Sequence, residues 1–156
     1  ITDTAPYAPT SEHECVSEKA YANFMLRYHL LTFASQQVDS LSWHQLIAPG
    51  YGLIDNREGL VKREAFNTYK YMYETLNSAQ FLRLDIKRDY YILQFMINDN
   101  LLQIHWSLIE TTLENEDFFI AYSKNGEKIE EKTLIIGESP LYLFITKAAP
   151  EKINCI

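Results

Sequence analysis

Residues 79–108 read AQFLRLDIKRDYYILQFMINDNLLQIHWSL, and this stretch decides what the second half of the chain is. Three runs rich in β-branched, aromatic and leucine side chains, Phe81 to Ile86, Tyr90 to Ile97 and Leu101 to Leu108, are separated by short polar breaks. In the third run Leu102, Ile104, Trp106 and Leu108 alternate with Leu101, Gln103, His105 and Ser107, the period of a half-buried strand. Phe118 to Tyr122, Lys128 to Ile136 and Leu141 to Thr146 continue the same pattern with no helical stripe between them. Asn125-Gly126 predicts a hairpin closed by a type I′ turn, with positive φ at both central residues. Many short strands joined by regular turns predict an antiparallel β-sandwich over residues 79–156.

Upstream the period changes. From Ser17 to Gln36, Tyr21, Phe24, Tyr28 and Leu31 recur at helical spacing, with Glu18 in the first turn where the helix dipole favours an acid. Val38 to Leu46 holds Val38, Leu41 and Trp43 and predicts a short strand. The loop IAPGYGLIDNREG follows, and then a second helical stripe over Lys62 to Asn77 at Ala65, Phe66, Tyr69, Tyr73 and Leu76. The chain therefore predicts an α+β fold of two parts, a βα segment over residues 1–78 and a sandwich over residues 79–156.

The 156 residues suffice for one or two small domains but not for a complete β/α barrel, which takes about 250. A formal charge of −7 argues against nucleic acid as a partner, because phosphate binding draws on clustered Lys and Arg. No segment approaches the ~20 apolar residues of a membrane helix, so a soluble protein with no membrane partner is expected. Cys15 and Cys155 lie near opposite ends without metal-ligand spacing, and the redox compartment stays open. His13, Glu14 and Cys15 are adjacent and do not converge on one ion without a special turn, so no metal and no cofactor are expected. A chain starting at Ile1 without an apolar leader reads as a processed or trimmed product whose address is unknown.

The order of the pieces SEKAYANFMLRYHLLTFASQQV, SLSWHQL, APGYGLIDNREGLVKREAF and NTYKYMYETL, from Ser17 to Leu76, resembles the closing βα segment of retaining glycoside hydrolases built on the β/α barrel. GESPLYLFIT, residues 137–146, resembles the last strand of the small β domain that often trails such barrels. The resemblance implies hydrolysis or transglycosylation of a glycan by two carboxylates, an acid/base and a nucleophile. Both of those positions fall before Ile1, and no Asp or Glu of this chain matches either of them. No catalytic residue is carried over, and the chain by itself is not expected to cleave glycosides.

Four residues are candidates for substrate contact: Trp43, His44, Gln45 and Tyr51. Trp43 offers an apolar face to a sugar ring, His44 and Gln45 offer hydrogen bonds to its hydroxyls, and Tyr51 lies in the following loop. The structural alternatives are Trp43 as core, His44 as a satisfied polar neighbour, and, for the loop that holds Tyr51, Gly50 and Gly52 permitting the turns while Asp55-Asn56 ends it. A rival function is a non-catalytic sandwich module that binds carbohydrate or a protein. A free-standing enzyme using His44 with Asp55 has no supporting geometry in the sequence. The aromatic side chains of Tyr21, Phe24, Tyr28, Phe66, Tyr69 and Tyr73 exceed what one short strand can bury, so a homodimer or a complementing barrel chain is expected alongside carbohydrate as a partner.

Overall fold

The computed structural model describes residues 16–49, 52–114 and 119–146. Two compact units divide between Tyr73 and Glu74. The expected loop before Ser11, together with His13, Glu14, Cys15, Tyr51 and Cys155, lies outside the described residues.

The first unit opens with α1 (Glu18–Ser35). Ser17 caps it, its hydroxyl accepting from the Ala20 amide at 3.1 Å, which satisfies one of the donors every helix start leaves over. The helix stops at Gln36, which turns left-handed at φ 52 and donates its amide to the Phe33 carbonyl at 3.2 Å. Its buried side is not the aromatic stripe that periodicity singles out. Ala22, Met25, Leu26 and Leu30 are buried, whereas Phe24 and Tyr28 are each 51% exposed and Leu31 lies in solvent with them. The helix is apolar on several sides, so spacing alone does not choose the packed face. Small Ala22 and flexible Met25 allow a closer approach to Leu53 and Ala65, with Tyr21, Trp43, Phe66 and Tyr69 around them.

No strand forms over Val38 to Leu46, which corrects the expectation for this segment. The backbone from Gln45 to Ala48 instead bonds to its own loop: Leu53 N–H to Gln45 O at 3.2 Å, Ile54 N–H to Leu46 O at 2.9 Å, and Ala48 N–H to Ile54 O at 3.2 Å. β-favouring side chains do not make a strand without a ladder, and among the described residues Ile47 pairs in a single bridge, with Ile54. Gly52 closes this loop because a Cβ there would sit 2.4 Å from the Ala48 nitrogen. β1 (Ile54–Asp55) and β2 (Val61–Lys62) form a short antiparallel ribbon, and α2 (Glu64–Leu76) follows. α2 buries Ala65, Thr68 and Met72, holds Phe66 and Tyr69 half-buried, and leaves Tyr73 exposed.

The second unit is all antiparallel. β3 (Gln80–Lys87), β4 (Tyr90–Ile97), β5 (Asn100–Ser107), β6 (Thr111–Glu114), β7 (Phe119–Tyr122), β8 (Lys128–Ile129), β9 (Thr133–Ile136) and β10 (Leu141–Ile145) follow in chain order. Six of them make one sheet in the order β3-β4-β5-β10-β7-β8, and β6 with β9 makes a second. Leu134 and Ile136 of β9 pack with Phe119 and Ala121 of β7 and Leu141, Leu143 and Ile145 of β10, which joins the two sheets face to face. Two helices with mostly antiparallel sheets make the chain α+β, and the layered sheets are in keeping with the sandwich expected of residues 79–156.

Three details differ from the pattern in the sequence. β5 is buried on both faces: Leu102, Ile104 and Trp106 on one, Gln103, His105 and Ser107 on the other. Polar residues at alternate positions do not there mean solvent. The run Lys128 to Ile136 breaks at Glu130, Glu131 and Lys132, and its two ends enter different sheets as β8 and β9. At the Asn125-Gly126 hairpin only Gly126 has positive φ, at 85. Ser123 O accepts from Gly126 N–H at 3.0 Å and Ser123 N–H donates to Glu127 O at 2.8 Å, a three-residue loop with glycine in the left-handed position. The two-residue loop with both positive φ values occurs instead at Asn98 (46) and Asp99 (62), between β4 and β5.

Candidate functional site

Trp43 is reached by the irregular segment after α1, and its indole settles among rings from both helices. Its Nε1 donates to the Tyr21 hydroxyl at 2.8 Å. Tyr21, Tyr28 and His29 lie within two turns of α1 and Tyr69 comes from α2. The Trp43 ring centroid is 5.8 Å from Tyr21, 6.0 Å from Tyr28 and 5.6 Å from His29, while His29 and Tyr69 are 5.2 Å apart. Edge-on and tilted rings at these distances suit the opposite charge of aromatic faces and edges. Trp43 is half-buried, so part of its indole reaches solvent.

His29 sits at the centre of this cluster. A carbonyl only accepts, so the 2.8 Å contact between His29 Nδ1 and the Met25 carbonyl puts the proton on Nδ1. Nε2 is then an unprotonated acceptor, buried and without a hydrogen-bond partner. Burial pushes the imidazole pKa below its usual value of 6.5, against the smaller opposite effect of the Met25 bond. Tyr21 moves upward, chiefly through burial, with the Trp43 hydrogen bond and the nearby Arg63 charge pulling the other way.

An ion pair supports the cluster from below. Arg63 Nε and Nη2 grip the Glu18 carboxylate at 3.0 to 3.2 Å, and Nη1 donates to the Gly52 carbonyl at 2.9 Å. The guanidinium lies 4.3 Å from the Tyr21 ring centroid. The same arginine thus ties the start of α1, the Gly52 loop and the Tyr21 ring together. A depression of about 500 Å³ beside it is lined by Glu18, Asp55, Arg57, Lys62 and Arg63, among others. Asp55 there accepts from Arg57 at 2.9 to 3.2 Å. Glu58 and Glu64 line the depression too, but Glu18 and Asp55 are each engaged by an arginine and are not a pair of free acids flanking a bond.

His44 and Gln45 are exposed next to Trp43, and the peptide between them is cis. Tyr51, the fourth candidate, is outside the described residues. Tyr21, His29, Tyr69, Arg63 and Glu18 escape the sequence reading as site residues. The spacing of Tyr21, Tyr28 and His29 places them on one side of a helix, but nothing local says that Trp43 comes to meet them. Among the described residues no group of His, Cys, Asp and Glu is arranged to hold a metal ion.

A second polar cluster lies inside the sandwich. His105 Nε2 donates to Gln103 Oε1 at 2.9 Å and Nδ1 accepts from the Tyr90 hydroxyl at 2.8 Å. Burial drives His105 down to about 3 and Tyr90 up to about 12. A neutral imidazole with both nitrogens bonded is a structural link between β4 and β5.

The described residues fold as two helices, a long loop and a layered antiparallel unit, and this chain has a counterpart among solved structures. It is similar in structure to a family 39 glycoside hydrolase from the gut symbiont Bacteroides cellulosilyticus WH2, with a TM-score of 0.64 and 15% sequence identity over 80% of this chain. The chain spans 30% of that protein's length. No protein-family model matches the chain, and no curated protein matches it in sequence.

Proposed function

We propose that this chain is the closing, non-catalytic portion of a retaining β/α-barrel glycoside hydrolase together with its trailing sandwich, and that it contributes glycan-contacting side chains to a site whose acid/base and nucleophile lie elsewhere. The observation that carries this reading is the structural likeness over 80% of this chain to a stretch amounting to 30% of a family 39 glycoside hydrolase. Trp43, with part of its indole open to solvent and His44 and Gln45 exposed beside it, supplies the platform and hydrogen-bonding groups that a sugar ring needs. Tyr51 belongs to the same proposed contact set. Glycosidic cleavage requires two carboxylates flanking the bond, and of the four acidic residues that line the depression Glu18 and Asp55 are each held by an arginine.

The test is turnover of activated aryl glycosides by the purified chain. No turnover is expected. Steady turnover that survives further purification and disappears on substituting a residue of this chain overturns the reading.

The rival, a non-catalytic module that binds carbohydrate or a protein, draws on the exposed Phe24, Tyr28 and Leu31 of α1. Titration with neutral oligosaccharides, followed by tryptophan fluorescence in the chain and in Trp43→Ala, separates a glycan contact at Trp43 from a surface that takes protein alone.

A further inference from the structure

We propose that β3 is a self-pairing edge that joins two copies of this chain across a twofold axis centred on Leu84. β3 ends the strand order of the six-stranded sheet, and among the described residues it pairs with β4 alone. The other end of that sheet, β8, is two residues long, whereas β3 offers eight. An open edge of that length is a template for another strand unless something blunts it.

The register says which groups are available. Lys87 and Tyr90 face each other across the two-residue turn that joins β3 to β4, and residues closing such a turn form a hydrogen-bonded pair. In an antiparallel ladder such pairs alternate, so Lys87, Asp85 and Arg83 direct their backbone groups to β4. Leu84 and Ile86 direct theirs outward, away from the sheet.

Leu82-Arg83-Leu84-Asp85-Ile86 is complementary to itself when reversed. Antiparallel pairing about Leu84 places Leu84 opposite the partner's Leu84 with their outward backbone groups facing, Ile86 opposite the partner's Leu82, and Arg83 opposite the partner's Asp85. Of the side chains concerned, Leu82 and Ile86 are exposed, those of Arg83 and Asp85 are 55% and 41% exposed, and Leu84 is half-buried. Arg83 and Asp85 share a face of the sheet, where they already form an ion pair of 2.9 Å within the strand. A second copy turns that pair into a four-charge array of alternating sign. Opposite charges directly across a ladder stabilise it and like charges weaken it, so the register is fixed by charge as well as by the two leucine and isoleucine pairs. The β-bulge between Phe81 and Arg83 ends the matched stretch at Leu82. Five residues a side bury little area, so the dimer is weak and forms with rising concentration. A twofold axis makes the contact isologous and closed, which stops growth at two copies.

This proposal rests on β3 alone and does not depend on the glycoside hydrolase reading, so either can fail without the other. Sedimentation velocity from micromolar concentration to the solubility limit tests it. The expected result is a shift of the whole chain from monomer to dimer, with Arg83→Asp moving the midpoint at least about tenfold higher and Arg83→Asp/Asp85→Arg restoring it. Asp85 also accepts from Gln94 Nε2 at 3.3 Å, so far-UV circular dichroism accompanies each variant. Ile86→Lys, at an exposed position, weakens association without touching that bond. A wild-type chain that stays monomeric overturns the proposal, as does a dimer indifferent to both Arg83→Asp and Ile86→Lys.

Discussion

Trp43 and Asp55 both lie between α1 and α2, yet their surroundings give them different weights. The Trp43 indole touches Tyr21, Tyr28 and His29 and donates a hydrogen bond. Truncation to alanine opens a void beside His29 and leaves the Tyr21 hydroxyl without its donor. We expect Trp43→Ala to lower unfolding stability by about 3 kcal/mol, the low end for a large aromatic because the ring is half-buried. Asp55 holds an arginine two residues away whose side chain is 39% exposed, and such local, partly solvated ion pairs contribute little, so Asp55→Ala is expected to cost under about 1 kcal/mol. Chemical denaturation of the two variants decides the order. Equal losses would mean that the indole is not packed against the rings of α1. That Trp43 is a candidate was readable from its type and its place before the Gly-rich loop. That its partners are Tyr21 and His29 was not, because twenty-two residues separate Trp43 from Tyr21 and only the returning chain brings them together.

Elements with a local cause follow the sequence closely. α1 begins where Ser17 and Glu18 predict, because the cap and the first-turn acid act within three or four residues. Ser17→Ala removes the hydroxyl that accepts from Ala20 and is expected to cost about 1 kcal/mol and to fray the first turn. Hydrogen exchange at the first amides of α1 reads this directly, and unchanged protection there would show that the cap does not hold the helix start. Elements with a non-local cause do not follow so well. Val38 to Leu46 has strand composition and forms no strand, since the ladder that would make it one is missing among the described residues. The Asn125-Gly126 loop takes a third residue, Lys124, because the β7 and β8 register pairs Tyr122 with Lys128. Loop length, set by which residues pair, selects the turn type, and the dipeptide does not.

For the whole molecule the buried histidines set a pH limit. The folded-state pKa of His105 is depressed to about 3 and that of His29 lies below 6.5, so in both cases the unfolded chain binds a proton more readily than the folded one. The stability they contribute is complete above pH about 6.5 and is lost as pH falls from there toward about 3. Above about pH 5, where most carboxylates stay ionised, the loss reports the histidines. Thermal melts are expected to be level from pH 8 to about 7 and to fall between about 6.5 and 5. His105→Gln is expected to flatten most of that slope, and a variant that keeps the full slope would place the titration elsewhere.

Composition, period and capping determined, without any structure, that this chain is α+β, where its two helices run, and that its second half is antiparallel strands, because each of those signals acts over a few neighbouring residues. The face α1 buries, the assignment of β8 and β9 to different sheets, the polar core around His105 and the seat of Trp43 were decided by the tertiary structure alone. Each depends on which distant surface arrives to remove water from a side chain, and the free energy of that contact belongs to the pair of surfaces and is not written in either segment.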